Sequence, residues 1–585
     1  MSGRSSYLIS KALRNFMMAS VLAAVAAQAA TTTDAIVVSH FVGPDAMSAI
    51  NLCIPVLQIF ACIAILFGIG GSVVAAKAIG ERDTEAVNHI FTSCVVAIIV
   101  VGVVVSAVIY LLCPAICQNI TNGNERLYPL TLSYMRPAII GMTLMMLAMA
   151  MENFVKTDGS PKLVTKVVLW ATLLNIVLDI VFVKFMGMGI SGSAWATNIN
   201  YLLAVTLCMT YFRSQRSSIH WQFAPQKLMK YVRKSAVQGF PMSINTLLLA
   251  LSVSFINMIV LKAQGVDGMF IWSVCLQLFM ILQMVLAGVC SSVYSIGGVL
   301  VGECDMPGFS ILNRKAVRFV SISLGAVMAF ILISPETFGQ IFGSAKLHTD
   351  AHIYNAMRIY SLFLIPYAVT AVLRSTHQVL GYMKLSVAES VTQLGLMVLC
   401  VWVCSLISPK LLWWGFIVSG IILLTLLFIY SLWRRRASSV ELMTLIPASR
   451  DGEGMNFSVK MEEAEVRKSL SEISAFLKGL GVESQTYILV KLCCEELMYN
   501  IVHYAVEKTP DKHYFDVHIT SDENQINVLM KDDGRPFNPI AKPNADDGRL
   551  HLGLQLVNSS STKMNYRYMY DQNMVFLTVD RNKNH

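Results

Sequence analysis

The sequence predicts a polytopic α-helical membrane protein, with twelve transmembrane helices as two parallel six-helix repeats plus a C-terminal α/β sandwich domain. Three observations predict it. Long apolar stretches recur from Phe16 to Trp433. Short segments repeat at a fixed offset of 222 residues. The chain then turns polar after Trp433-Arg434-Arg435-Arg436.

Of 585 residues, 55% are hydrophobic and 14% charged, whereas a soluble chain carries about 25% charged residues. Lipid therefore solvates most of this one. Spanning a bilayer as a helix takes about 20 apolar residues. Twelve stretches reach or approach that length, centred near Ala27, Ile63, Val101, Leu144, Leu173, Leu202, Leu249, Val285, Gly325, Phe363, Leu396 and Ile422. The first, Phe16 to Ser39, is too long, and too poor in a small-residue cleavage site with polar flanks, to read as a signal peptide. The expected division is a cytosolic N-terminus (1–15), a first lobe (16–212), a cytosolic linker (213–235), a second lobe (236–436), a linker (437–455) and a soluble domain (456–585).

Basic residues cluster on alternate loops. Lys11 and Arg14 precede span one, Lys156, Lys162 and Lys166 follow span four, six basic residues lie between spans six and seven, and Arg434 to Arg436 follow span twelve. The intervening loops hold few. The positive-inside rule then places both termini, and the soluble domain, in the cytoplasm of a cell (inner or plasma) membrane. The net charge of +9 is largely this bias. No basic patch stands apart from a membrane flank, so nucleic acid is not an expected partner. Thirteen scattered cysteines show no zinc spacing and read as buried free thiols.

Gly43-Pro-Asp-Ala-Met47 recurs as Gly265-Val-Asp-Gly-Met269, and Ile79-Gly-Glu-Arg-Asp83 as Val301-Gly-Glu-Cys-Asp305. Met135-Arg136 recurs as Met357-Arg358, and Gly159-Ser-Pro-Lys162 as Gly381-Tyr-Met-Lys384. Every pair is 222 residues apart without a gap. An even number of spans per unit keeps the two copies in one orientation. Internal repeats with a site between them near the midplane characterise secondary transporters.

Few carboxylates lie well inside a span. Asp34 follows Thr31-Thr32-Thr33 in span one, and Asp179 closes Asn175-Ile-Val-Leu-Asp179 in span five. The i, i+4 spacing puts Asn175 and Asp179 on one helix face. Both acids sit in the outer half of the first lobe, where an ionisable group costs roughly 2.5–3.5 kcal/mol to insert. That cost points to an ion or substrate path; the plainer reading is an acid reaching outer water or pairing with Lys184. Their positions in the second copy are Ile256 and Val401, so the acids are not shared scaffold. Asn245, Gln277, Gln283 and His377 are more simply read as helix–helix hydrogen-bonding groups. Glu389 reads as reaching cytosolic water.

Residues 10–436 resemble the multidrug and toxic compound extrusion (MATE) transporters. The resemblance rests on Asp34, Thr157-Asp-Gly-Ser-Pro-Lys162, Asn175-x-x-x-Asp179 and Gly187-Met-Gly-Ile-Ser-Gly-Ser-Ala-Trp-Ala-Thr197. It implies two six-helix bundles around a cavity that opens alternately to either side. The implied activity is export of bulky, often cationic, drug-like compounds against inward flow of H+ or Na+. Asp34, Asn175, Asp179 and Thr197 fall on the polar first-lobe cluster of the branch that couples there. Span seven has no carboxylate, so the second-lobe branch is not matched.

Beyond residue 456 the pattern is α/β. Val459 to Gly479 and Tyr487 to Val506 read as helices. Tyr514 to Ile519, Gln525 to Lys531, Lys563 to Tyr570 and Met574 to Asp580 alternate like strands. Glu495-Glu496-Leu-Met-Tyr-Asn500 puts Glu496 and Asn500 on one helix face. That carboxylate could orient water or a hydroxyl, and that amide oxygen could ligate Mg2+. Asp532-Asp533-Gly534-Arg-Pro-Phe-Asn follows a strand: Asp532 could accept from an exocyclic amine, and Gly534 lets a flat ring approach. Gly548 to Val557 reads as a flexible loop feeding a helix whose N-terminus can hold phosphate.

This set resembles the GHKL (histidine kinase-like) ATP-binding fold, nearest its anti-sigma-factor serine kinase branch. By that resemblance Asn500 would bind Mg2+, Glu496 would act as base, Asp532 would read adenine, and Gly534 and Gly553 would frame the nucleotide. His551 stands where a second glycine is usual. Two functions follow. One is an ion-coupled antiporter of organic compounds with an ATP-binding regulatory domain. The other is a membrane sensor whose C-terminal domain phosphorylates a serine on a separate protein partner. A Gly-x-x-x-x-Gly-Lys-Ser/Thr loop does not occur, which disfavours ATP-powered pumping.

Overall fold

A computed structural model describes residues 4–337, 351–448, 454–504, 513–521, 524–538 and 563–581. They form two compact units. One comprises Phe16–Cys304 and Asn313–Pro447; the other comprises residues 4–15, Asp305–Leu312 and the described residues from Ala448 onward.

The first unit is helical. Eleven helices among the described residues are long and apolar enough to cross a membrane. They are α1 (Tyr7–Phe41), α2 (Asp45–Gly80), α3 (Thr84–Ile120), α4 (Leu127–Thr157) and α5 (Pro161–Phe185), then α7 (Pro225–Gly265), α8 (Asp267–Gly302), α9 (Met306–Ile333), α10 (Ile353–Leu380), α11 (Met383–Ile407) and α12 (Trp414–Ala437). At the position of the sixth predicted span lies α6 (Ile190–Arg213). It is a helix of 24 residues that falls below the apolar threshold, because Ser191, Ser193, Thr197, Asn198 and Asn200 dilute it.

The repeat seen in sequence is repeated in geometry. Asp83 caps α3 through the Ala86 amide at 2.8 Å, and its mate Asp305 caps α9 through the Gly308 amide at 2.8 Å. A side-chain acceptor at this position satisfies a helix amide that otherwise has no partner. The residues just before, Arg82 and Cys304, both take left-handed backbone, at φ 65 and 60°. Gly159 and Gly381 turn the chain at φ 91 and 92°, a conformation that glycine adopts without steric cost. Sequence identity at these sites is thus the residue of a shared backbone path. All thirteen cysteines are free.

The second unit contains a five-stranded antiparallel sheet of β1 (Gly454–Lys460), β2 (Tyr514–Ser521), β3 (Gln525–Asp532), β4 (Lys563–Met569) and β5 (Gln572–Asp580). The strand order is β1-β2-β3-β5-β4. Alternation puts Phe457, Val517, Val528 and Leu577 on one face. That face packs on α13 (Glu463–Gly479) and α14 (Ser484–Tyr504), which contribute Ile473, Leu477, Val490 and Met498 to the same core. One expectation is corrected here. Val459 pairs with Phe515 in β1 rather than opening a helix, and α13 starts only at Glu463. The short Phe457-Ser-Val459 alternation abuts the helical pattern and was absorbed into it.

Candidate functional sites

In the first unit, α1, α5 and α6 carry the polar cluster. The carboxyl groups of Asp34 and Asp179 stand close enough to feel each other's charge, and Ser193 of α6 lies near Asp179. Tyr134 of α4 and Tyr201 of α6 stand within the field of the acids. Asp179 is 0% exposed and Asn175 1%. Asp34 Oδ1, both Asp179 carboxyl oxygens and Asn175 Nδ2 are buried without a hydrogen-bond partner. Each such group costs about 1–3 kcal/mol. Two adjacent carboxyl groups stay ionised together only if a cation lies with them; otherwise one of them holds a proton. The arrangement can therefore hold one small cation or a proton.

The plainer reading of Asp179 is not what the structure shows. Lys184 stands over the rings of Phe41 and Phe185, at 5.1 and 5.5 Å, and Asp179 is sealed from water. The local chain explains the aim of the acid. After Asp179 the α-helix passes into a π-helical turn, Ile180–Phe185, a feature frequent at functional sites. Gly187 and Gly189, at φ 63 and 60°, then reverse the chain into α6. Thr197 lies on α6, but its hydroxyl donates to Ser193 O at 3.0 Å, so only its lone pairs remain to offer.

Other residues escaped the sequence. Asn198 donates to Pro137 O at 2.7 Å, and Gly141 lets it in: a Cβ there would lie 1.7 Å from Asn198 Oδ1. Glu152 and Lys156 share one face of α4, and their second-copy mates are Arg374 and Gln378. In the second lobe Asn245 is buried and Gln277 exposed. Glu389, expected to reach water, is instead 4% exposed and 2.6 Å from His377. A lone acid near a helix end gives no sequence signal of its partner.

In the second unit Asp532 closes β3 and is buried. Its Oδ1 accepts from the Gly534 amide and from Asn573 Nδ2, both at 2.8 Å, which leaves Oδ2 as an acceptor. Burial pushes this carboxyl up to about 6, against the pull of those two bonds. Asn573 also donates to Arg535 O at 2.9 Å and accepts from the Phe537 amide and the Tyr566 hydroxyl at 3.2 and 2.7 Å. It clamps the whole turn. Asn500 and Glu496 lie one turn apart on α14, and Asn500 Nδ2 is buried without a partner. No group of three or more metal-binding side chains occurs among the described residues. Mg2+ usually takes one or two protein oxygens plus phosphates and water, so a single amide fits that role. Gly553 and His551, with the rest of the phosphate loop, lie outside the described residues.

The outer face of the same sheet carries polar groups that sequence spacing could not reveal. Asp533 is bound by Lys11 Nζ at 2.6 Å, Tyr7 OH at 2.8 Å and His513 Nδ1 at 3.1 Å. Burial alone would push its carboxyl up; those hydrogen bonds outweigh it and hold the group below the ordinary value. Arg4 pairs with Asp305, and with Asp516 at 3.4 Å. Ser5 N donates to Ser458 Oγ at 2.8 Å, and Gln572 donates to Leu8 O at 2.9 Å.

A repeated bundle of helices long and apolar enough to cross a membrane, with Asp34 and Asp179 together in its first copy, precedes an α/β module. The comparisons with known proteins agree. Residues 19–181 match the MatE family, and residues 459–579 match the histidine kinase-like ATPase domain. The chain thus carries a MatE-family segment followed by a histidine kinase-like ATPase domain. It is 24% identical over 310 residues to a probable multidrug resistance protein YoeA of Bacillus subtilis (strain 168), spanning 51% of this chain and 64% of that one. It is 20% identical over 365 residues to the multidrug export protein MepA of Staphylococcus saprophyticus, spanning 60% and 78%. An outward-facing multidrug resistance MATE family transporter of the MOP superfamily superposes at TM-score 0.68 with 19% identity, over 75% of this chain and 99% of that one. A MOP superfamily transporter from Pyrococcus furiosus superposes at 0.67, also with 19% identity, over 73% and 96%.

Proposed function

We propose that this chain is an ion-coupled antiporter that exports organic, often cationic, compounds by alternating access, and that its cytosolic domain binds ATP with Mg2+ and regulates it. One observation carries the coupling: Asp34 and Asp179 meet in the first lobe with three carboxyl oxygens unpartnered, while the second copy has Ile256 and Val401 there. A proton or Na+ entering from outside neutralises the pair. A cationic substrate binding from the cytosol competes for the same negative charge, so the two cannot be held together. Ser193 lies near Asp179, Asn175 offers a spare amide donor, and Thr197 offers lone pairs nearby. The names of the relatives, a multidrug resistance and a multidrug export protein, support the substrate class.

In the soluble domain Asp532 would accept the adenine amine, Gly534 and Gly553 would frame the nucleotide, and Asn500 would hold Mg2+. Bound ATP supplies a transferable phosphoryl group. Glu496, one helical turn from Asn500, would take a proton from an acceptor hydroxyl, which supports a second reading: serine phosphorylation of a separate protein partner. Both termini lie in the cytoplasm on this proposal.

The test is efflux of a fluorescent organic cation from proteoliposomes under an imposed pH or Na+ gradient, with and without Mg-ATP on the side of the soluble domain. Asp34→Asn is expected to abolish gradient-driven efflux. Undiminished efflux in that variant refutes the coupling, and failure of the wild type under both gradients favours the sensor-kinase reading.

A further inference from the structure

The second lobe carries a titratable pair that the first lobe lacks. His377 of α10 and Glu389 of α11 correspond to Val155 and Val167 in the first copy. Both are buried. His377 Nδ1 lies 2.6 Å from Glu389 Oε1, and Nε2 lies 3.0 Å from the backbone carbonyl of Met443.

Donor counting fixes the protonation of this pair. A carbonyl oxygen only accepts, so Nε2 must carry a hydrogen. Nδ1 then either carries a second hydrogen and donates to a carboxylate, or accepts from a protonated carboxyl. Both descriptions hold one proton more than an ionised glutamate beside a neutral histidine. The surroundings leave that proton little alternative anchorage. One turn away, Arg374 is engaged by Gln393 at 2.6 Å. Arg434 lies over the Tyr382 ring, which flanks His377. Glu441 is turned to Arg314 and Thr444. Asn313 takes Thr376, and Tyr294 takes Gln378. Glu389 Oε2 is buried without a hydrogen-bond partner.

Met443 belongs to the turn that leads toward the soluble domain. Met443 and Leu445 are left-handed, at φ 67 and 54°, a conformation that costs a residue with a side chain. The turn is closed by Glu441 N to Ile446 O at 2.8 Å and Leu445 N to Glu441 O at 3.1 Å. The histidine bond holds this strained turn from the helical side.

We propose that His377 and Glu389 form a proton-binding site in the second lobe, and that its proton fastens the 440–447 turn to α10. When the proton leaves to water, imidazole keeps one N–H. The charge-assisted bond to the carboxylate is the stronger, so the hydrogen stays on Nδ1. A bare Nε2 then faces the Met443 carbonyl, and the turn is released.

The experiment is amide hydrogen exchange of the full-length protein in lipid nanodiscs as a function of pH, corrected for intrinsic exchange and read at Glu441 and Leu445. The wild type is expected to show slow exchange at low pH that accelerates roughly five- to tenfold as pH rises, the loss of about one hydrogen bond. Glu389→Gln is expected to stay slow at every pH, because its amide can donate to Nδ1 and keep the hydrogen on Nε2. His377→Phe is expected to be fast at every pH and guards against a glutamine variant that does not fold. A wild type without a pH step, or an unchanged step in Glu389→Gln, overturns the proposal. No part of the readout depends on transport.

Discussion

Gly80 and Gly302, equivalent residues of the two repeats, pack against each other. A Cβ on Gly80 would lie 2.2 Å from Val299 O and 2.8 Å from Gly302 Cα; one on Gly302 would lie 2.2 Å from Lys77 O and 3.0 Å from Gly80 Cα. The ends of α2 and α8 therefore meet backbone to backbone, and no side chain fits between them. Gly80→Ala or Gly302→Ala is expected to destabilise this arrangement by about 1–3 kcal/mol through overpacking. Thermal unfolding of the purified variants should register it. Gly325→Ala, where a Cβ meets open space, is the control expected to behave like the wild type.

Lys11 is the cation for a carboxyl sealed from water. The Asp533 side chain is 0% exposed, and Lys11 Nζ is 2.6 Å away. Lys11→Met keeps the apolar stem and removes the charge. The expected cost is roughly 1.5–3 kcal/mol, the worth of a hydrogen bond to a charged group. It should appear as faster amide exchange at the end of β3. Asp533→Asn in the same chain should recover part of it, since no unpaired charge then remains.

The carboxyl of Asp532 titrates near pH 6 for a stated reason, its burial at the strand end. The folded domain takes up a proton there that an unfolded chain would bind only near pH 4. Folding stability from this group is therefore gained as pH falls through that window and lost as pH rises. Nucleotide binding runs the other way, because an amine donor needs the ionised carboxylate. Affinity for Mg-ATP is expected to drop about tenfold one unit below pH 6, measured by titration with a fluorescent analogue. An Asp532→Asn variant should bind weakly with no such slope.

Asn573 joins three groups of the 532–537 turn, and the Tyr566 hydroxyl of β4. Asn573→Ala removes all of them at once and leaves the Arg535 carbonyl and the Phe537 amide without that partner. Nucleotide affinity is expected to fall about tenfold, near 1.4 kcal/mol, as for loss of one or two net hydrogen bonds. Calorimetric titration with Mg-ATP would measure it.

Much of this was readable in the chain, for physical reasons. Asp34 and Asp179 stood out because a carboxylate in lipid is expensive, and the structure brings them together. The 222-residue offset survived because its motifs sit at caps and left-handed turns, where few residues fit. Four of the five strands declared themselves by alternation; β1 did not, being short and merged with a helical pattern. Span six was read as apolar, yet the polar face it turns toward the acids keeps α6 less hydrophobic than its neighbours. Lys11 and Asp533 are 522 positions apart, and neither has an unusual local context. His377 and Glu389 each stand alone in the sequence, and only folding brings them 2.6 Å apart.

The soluble unit draws on three stretches of chain: residues 4–15, Asp305–Leu312 and the segment from Ala448 onward. A gene fragment that encodes only the last of these would produce a domain with Asp516 stripped of Arg4 and Asp533 stripped of Lys11.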